Sequence, residues 1–257
     1  MKKVISMVLA LILCVSMMAA CNSSGIIIHP NKQEYVVGIC QLVTHDSLDQ
    51  ATQGFKDALT EALAAEGRTV VFKEQNGQGE PNTCVTIANS FVSDKVDLIM
   101  GNATAALQAA YNATENIPIL GTSVTEYGVA LGIENFNGTV GANVSGTSDL
   151  ADLNKQAQMI TDWCPEAKNV ALLYCSAEAN SQYQVDEVQR ILEGKGLTCK
   201  QFPFADTSDL MSVTQEAVSY ADVVYVPTDN TVASSAGIID GICRPAGVPI
   251  IAKSGSD

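Results

Sequence analysis

The chain has 257 residues, 47% of them hydrophobic and 16% charged, and its 14 basic against 28 acidic side chains give a formal net charge of −14. That length holds one large domain or two modest ones with true apolar cores. The acidity makes nucleic acid and anionic lipid poor partners, because both repel a negative surface, and it suits solubility outside the cell.

Residues 1–20 read as an export signal. Lys2 and Lys3 form a positive head, 4–18 is an apolar run too short to span a bilayer, and small residues precede Cys21. The string Met18-Ala19-Ala20-Cys21 resembles the lipobox of bacterial lipoproteins, whose cysteine is diacylated and becomes the mature N-terminus. Ordinary cleavage, with Cys21 an incidental thiol, is the alternative. Acyl chains hold such a protein on the membrane. Residues 21–34 then form a polar tether, broken by Ile26, Ile27 and Ile28, and no later stretch is apolar enough to cross a bilayer.

The globular part starts near Tyr35. The run 35–42 (YVVGICQL) is β-branched and apolar, and Ser47 with Gln50 forms a capping-box pattern ahead of a helix that places Leu48, Phe55, Leu59 and Leu63 on one face and stops at Gly67. Strands are expected at 69–73, 97–100 and 117–120, with helices at 81–92 and 103–114. Strands apolar throughout, alternating with amphipathic helices, predict a parallel sheet covered on both faces.

The second half repeats this grammar, with strands expected at 169–174, 197–202, 222–226 and 248–251 and helices at 181–192, 208–220 and 231–243. The clearest echo joins 97–107 (DLIMGNATAAL) to 222–235 (DVVYVPTDNTVASS): each opens with Asp, runs through apolar residues, passes a polar cluster and enters a helix. We read an internal duplication, giving two doubly wound α/β lobes at 35–143 and 150–257. Between them 137–149 (NGTVGANVSGTSD) has a hinge composition, with the crossing placed at 144–149. Two hinged lobes on an exported chain point to a binder that closes a cleft.

A catalytic reading finds little to work with. His29 lies in the tether, so His45 is the one candidate base, with no GxSxG elbow and no third partner for Ser47 or Asp46. A pocket-rim or capping role fits His45 better. Walker and GxGxxG motifs are absent, and the cysteines show no metal-ligand spacing, so neither a metal nor another cofactor is expected. Cys40, Cys84, Cys164, Cys175, Cys199 and Cys243 read as mostly buried, inert thiols, with a Cys175–Cys199 bridge as the alternative.

The strings VVGICQLVTHDSLDQATQGFKDAL, FVSDKVDLI, GTSVTEYG, NVSGTSD, LLYCSAEANS and YVPTDNTVAS together resemble the ABC-transporter substrate-binding lipoproteins of the tryptophan/tyrosine-binding type. The resemblance runs from Tyr35 to the end and implies the type 1 periplasmic-binding-protein fold, with an amino acid, aromatic or branched apolar, delivered to a membrane permease and its ATPase. Family members continue beyond the point matching Asp257, so the second lobe is expected to be incomplete.

Such a zwitterion needs an anion site and a cation site. For the carboxylate, helix N-termini and the hydroxyls of Thr104, Ser123, Thr125 and Ser148 are the candidates. For the ammonium, Asp229 with Asn230 beside it is the natural choice, and Glu178 and Asn180 stand at an equivalent edge. Leu42, Val43 and Val124 could touch an apolar side chain, while Trp163 reads as helix-end packing. The bland reading of the Ser, Thr, Asn and Asp residues is helix capping. Two competitors are a sugar or nucleoside binder on the same fold, disfavoured by the scarcity of aromatic platforms, and a lobe pair read by a membrane signalling protein.

Overall fold

The computed structural model describes residues 32–252; the expected signal segment, Cys21 and most of the tether lie outside the described residues. The first sheet comprises β1 (Glu34–Gln41), β2 (Thr69–Asn76), β3 (Leu98–Asn102), β4 (Ile119–Val124) and β5 (Val144–Ser148). Their order is β2-β1-β3-β4-β5, and every pair is parallel. Helix α1 (Asp46–Ala65) covers one face, setting Phe55 and Leu59 on Val37, Ile39 and Met100. Helices α2 (Pro81–Ser93), α3 (Thr104–Ala113) and α4 (Tyr127–Leu131) cover the other around Phe91, Ile99, Leu107 and Ile119. Burial on both faces explains why β1 reads as a continuous apolar run.

The second lobe repeats the plan. Strands β6 (Asn169–Cys175), β7 (Thr198–Phe204), β8 (Val223–Val226) and β9 (Ile250–Ala252) pair in parallel in the order β7-β6-β8-β9, matching β2-β1-β3-β4. Helices α5 (Leu153–Trp163) and α6 (Ala179–Gly194) pack one face around Leu172, Val188 and Tyr225. On the other, α7 (Thr207–Tyr220) and α9 (Ala236–Ala246) pack around Phe202, Leu210 and Val224. The single helix expected over 231–243 is two, because Ser235, at φ −126° and ψ 17°, separates α8 (Asn230–Ser234) from α9. Likewise the capping box at Ser47 does not form; His45 occupies the N-cap of α1 without a side-chain cap bond.

The repeated aspartates have the same job in both lobes. Asp97 Oδ2 accepts from Val36 N at 2.7 Å, while Asp97 N donates to Val36 O, tying the start of β3 to the start of β1. Asp222 Oδ2 accepts from Asn169 N and Lys168 N, both at 2.9 Å, and Asp222 N donates to Asn169 O, so β8 is clasped to β6 in the same way. Lys32 adds an ion pair to Asp97 in the first lobe.

Residues 144–148, expected to be the crossing, are instead β5, the last strand of the first sheet, so the crossing falls at 149–152. Gly146 permits this: at φ +157° an added Cβ would lie 2.1 Å from Gly121 O and 2.2 Å from the Tyr127 hydroxyl. That hydroxyl lies 3.0 Å from Gly121 O and 3.2 Å from Thr147 O and donates to both, joining β4 to β5. Burial, aided by the nearby Asp149 charge, pushes the Tyr127 phenol up to about 12, so it remains a donor. Asp152 then caps α5 through Asn154 N and Lys155 N.

All six described cysteines are free, four of them buried. Cys175 and Cys199 cannot pair, because Cys199 stands opposite Val170 while Cys175 stands opposite Phe204, at the far end of the same two strands. At about 3.3 Å per residue that separation is well beyond the roughly 7 Å that a disulfide can bridge. Trp163 ends α5 as expected but is 68% exposed, so it does not serve as helix-end packing.

Backbone hydrogen bonds from Asn169 and Lys168 hold the Asp222 carboxyl below the usual carboxylate range. Its contribution to stability is therefore present above the unfolded-state value near 4 and disappears as pH falls through the lower folded-state value. Asp222→Ala should lower the thermal midpoint at pH 7 and cost much less at pH 3; melting curves at both pH values check this, and an equal deficit at both would rule out the charge as the cause.

Candidate functional site

Because the strands of each sheet are parallel, their C-terminal ends lie along one edge per lobe. In the first lobe that edge carries His45 after β1, Ala103 and Thr104 after β3, Ser123 and Thr125 at the end of β4, and Ser148 closing β5. The second lobe presents Glu178 and Asn180 after β6, and Asp229 and Asn230 after β8. The two edges meet where His45 Nε2 lies 3.4 Å from Asn230 Oδ1. Asn230 Nδ2 donates to Glu178 Oε2 at 2.7 Å, so its Oδ1 is the acceptor and His45 must donate from Nε2. A second interlobe approach brings Glu126, the cap of α4, near Tyr183 of α6; burial first, and then this charge, raises the Tyr183 phenol.

The first-lobe wall presents a helix N-terminus. Helix α3 starts without a side-chain cap: its N-cap is Ala103, fully buried at φ 88° and ψ 160°, a conformation costly for any residue with a Cβ. That leaves the first-turn N–H groups of a ten-residue helix without the Ser, Thr, Asp or Asn that normally satisfies them. The helix sits close on its own strand because Gly101 has no side chain; an added Cβ would lie 2.9 Å from Leu107 Cα. Ser123 is a second residue at positive φ, +54°, beside the register shift between β4 and β5. Backbone strain thus gathers at the two strand ends that border α3. Thr104 and Thr125 are buried here and Ser123 is half-buried.

The second-lobe wall is acidic. Glu178 and Asp229 are 5% and 4% exposed. Glu178 Oε1 accepts from Thr231 N and Oγ1, both at 2.8 Å, and its Oε2 accepts from Asn230 N at 3.1 Å, Asn230 Nδ2 and Asn180 Nδ2. Asp229 caps α8, its Oδ1 accepting from Val232 N at 2.9 Å and its Oδ2 from Cys175 N at 2.7 Å. Neither carboxylate forms a salt bridge among the described residues. Burial, with the Glu178 charge second, pushes Asp229 up to about 8.

Several expectations change at this level of detail. Asp229 does not project across the cleft; both of its oxygens are spent on backbone N–H groups of its own lobe. Asn180 Nδ2 likewise serves Thr228 O and Glu178, and Ser148 Oγ donates to Thr125 O and accepts from Leu150 N. Leu42 and Val124 are core residues of the first lobe, with Val43 packed against them, because their side chains point into the layer under α2 and α3. Gln184 went unnoticed in the sequence. Fully buried, it donates to Asn180 O and Thr228 O and accepts from Thr228 N, bracing the loop that carries Asp229. The available signal was a polar residue next to Val185 and one turn before Val188 on the inward face of α6.

The family described as ABC transporter substrate binding protein matches residues 36–256. A tyrosine-binding protein of Clostridioides difficile is 36% identical over 98% of this chain and 75% of its own length. Among solved structures, an ABC domain in complex with L-Trp from Streptococcus pneumonia superposes with a TM-score of 0.79 at 30% identity, over 86% of this chain and 74% of that one. The ligand-free, open form of a substrate-binding protein with adhesive properties from Clostridium difficile is 35% identical over 86% of this chain and 75% of that one, yet its TM-score is 0.56. The more similar sequence thus superposes less well. The architecture is the type 1 periplasmic-binding-protein fold. The chain belongs to the ABC transporter substrate-binding protein family, whose members are extracytoplasmic, non-catalytic receptors that bind small molecules and work with ABC permeases.

Proposed function

We propose that this receptor captures an amino acid, aromatic or branched apolar, between its lobes. The observation that carries the reading is the opposite character of the two walls: an uncapped helix N-terminus on one side, and two buried carboxylates without a cationic partner among the described residues on the other. A zwitterion fits this polarity, with its carboxylate toward the α3 N-terminus and the hydroxyls of Thr104, Ser123 and Thr125. Its ammonium then lies toward Glu178 and Asp229, which act through their field behind the wall more than by direct contact. His45 and Asn230 meet across the seam and form part of the rim.

A ligand held by both walls favours the closed arrangement, because the second wall reaches it only there, and the population shifts by the difference in affinity between the two states. The names of the relatives, tyrosine-binding and L-Trp-bound, agree in ligand class. We further propose that residues 1–20 are removed on export and that Cys21 carries the lipid that keeps the receptor beside its permease.

Calorimetric titration with L-tyrosine, L-tryptophan, L-leucine, sugars and nucleosides should give binding by one or more of the amino acids. Binding should be lost for tyramine and for 3-(4-hydroxyphenyl)propionate, which lack the carboxylate and the ammonium respectively. Response to a sugar or nucleoside alone would overturn the reading.

Thr104→Ala should weaken amino-acid binding by roughly 1.5–3 kcal/mol, the worth of a hydrogen bond to a charged group; an unchanged affinity removes Thr104 from the carboxylate site. For the anchor, metabolic labelling with a fatty-acid analogue should mark the parent protein and not Cys21→Ser, with the variant recovered in the soluble fraction.

A further inference from the structure

Glu178 and Asp229 share one small volume at the start of α8, and their surroundings set how they share charge. From the β6–α6 turn come Glu178 itself and the Cys175 thiol, whose backbone N–H bonds Asp229. The thiol is pushed up to about 11, by burial first and then by the charge of Asp229, and so stays neutral. Helix α6 faces the pair with Asn180, Ser181 and Gln184, none of them ionisable. Helix α8 offers backbone N–H groups, the Asn230 amide and the Thr231 hydroxyl. Among the described residues, the hydrogen bond that reaches this group from the other lobe comes from His45, and it goes to Asn230 and not to a carboxylate. The pair therefore has hydrogen-bond donors in plenty and no countercharge among the described residues.

Two buried carboxylates in that situation do not both ionise readily, because each charge raises the cost of the other. Glu178 accepts five hydrogen bonds and Asp229 two from backbone N–H groups. Burial and then the Glu178 charge raise Asp229 against the hydrogen bonds it accepts from Cys175 N, Val232 N and the Ser181 side chain, so Asp229 holds a proton at neutral pH.

We propose that capture of an amino acid expels this proton, the ligand's ammonium replacing it as the countercharge of the Glu178–Asp229 pair. The inference rests on the amino-acid reading above. The step is a simple exchange: the neutral Asp229 carboxyl, behind the wall, becomes a carboxylate in the field of the bound ammonium, and its proton passes to the solvent. Since the ligand competes with a proton below about pH 8, its affinity rises with pH, by at most about tenfold per unit, and levels off once Asp229 is already ionised in the free protein. The receptor would then hold its cargo more weakly in an acidified medium.

The test is titration calorimetry of the full chain with L-tyrosine and L-tryptophan at pH 7 in phosphate, MOPS and Tris, whose heats of ionisation differ. The dependence of the observed heat on buffer should show release of about half a proton or more per ligand bound. The dissociation constant should fall by tens of fold from pH 6 to pH 8. Asp229→Asn should abolish the release; should that variant fail to fold, the buffer series and pH series on the parent protein decide alone. Binding with heat independent of buffer overturns this inference and leaves the amino-acid reading standing. Release that persists in a folded Asp229→Asn assigns the proton elsewhere and also overturns it. Failure of both amino acids to bind overturns the inference together with the reading beneath it.

Discussion

One constraint governs this molecule: within each sheet all strands run in the same direction. Parallel pairing requires a crossover after each strand, so every turn that enters a helix emerges at the same edge. That edge gathers helix N-termini, small polar residues and strained backbone, and the opposite edge gathers helix C-termini and strand starts. The aspartates Asp97 and Asp222 belong to the starting edge. Each satisfies backbone N–H groups at the start of the central strand and pins the neighbouring strand to it, so the division between a fixed base and a chemically active rim is built into both lobes.

The lobes solve the same capping problem with opposite results. In the second lobe Asp229 and Glu178 satisfy the start of α8, which buries two carboxyl groups there with no cation beside them among the described residues. In the first lobe the equivalent position before α3 is Ala103, which caps nothing and sits in a costly conformation. Backbone strain on one wall, and two buried carboxyl groups without a countercharge among the described residues on the other, are each unfavourable in the empty protein. The zwitterion proposed above would relieve both, since it carries an anion and a cation a few bonds apart. Local cost in the unliganded state thus becomes differential affinity for the liganded one.

Much of the architecture was legible because it rests on periodicity. Continuous apolar runs marked the buried strands, the repeated Asp-opened motif marked the duplication, and the C-terminal strand ends located the rim. Three things were not legible. The segment 144–148 has the composition of a linker, yet pairs as β5 because Gly146 lets Gly121 and Tyr127 approach where a side chain would block them; composition carries no information about such a fit. Asp229 is expected from the sequence to face the cleft, but the direction of its carboxylate depends on Cys175 N, more than fifty residues away in the chain, which no local pattern encodes. Leu42 and Val124 lie next to rim residues in sequence, and the alternation of a strand turns them into the core.

The junction between the lobes repays a closer look. Tyr127 holds β5 to β4 up to Thr147, Ser148 is bound to Thr125 and Leu150, and Asp152 fixes the first turn of α5. The connection described here is therefore anchored at both ends and only a few residues long, more like a leaf spring than a rope. Relative motion is confined to a handful of dihedral angles, so little conformational entropy is lost when the lobes come together.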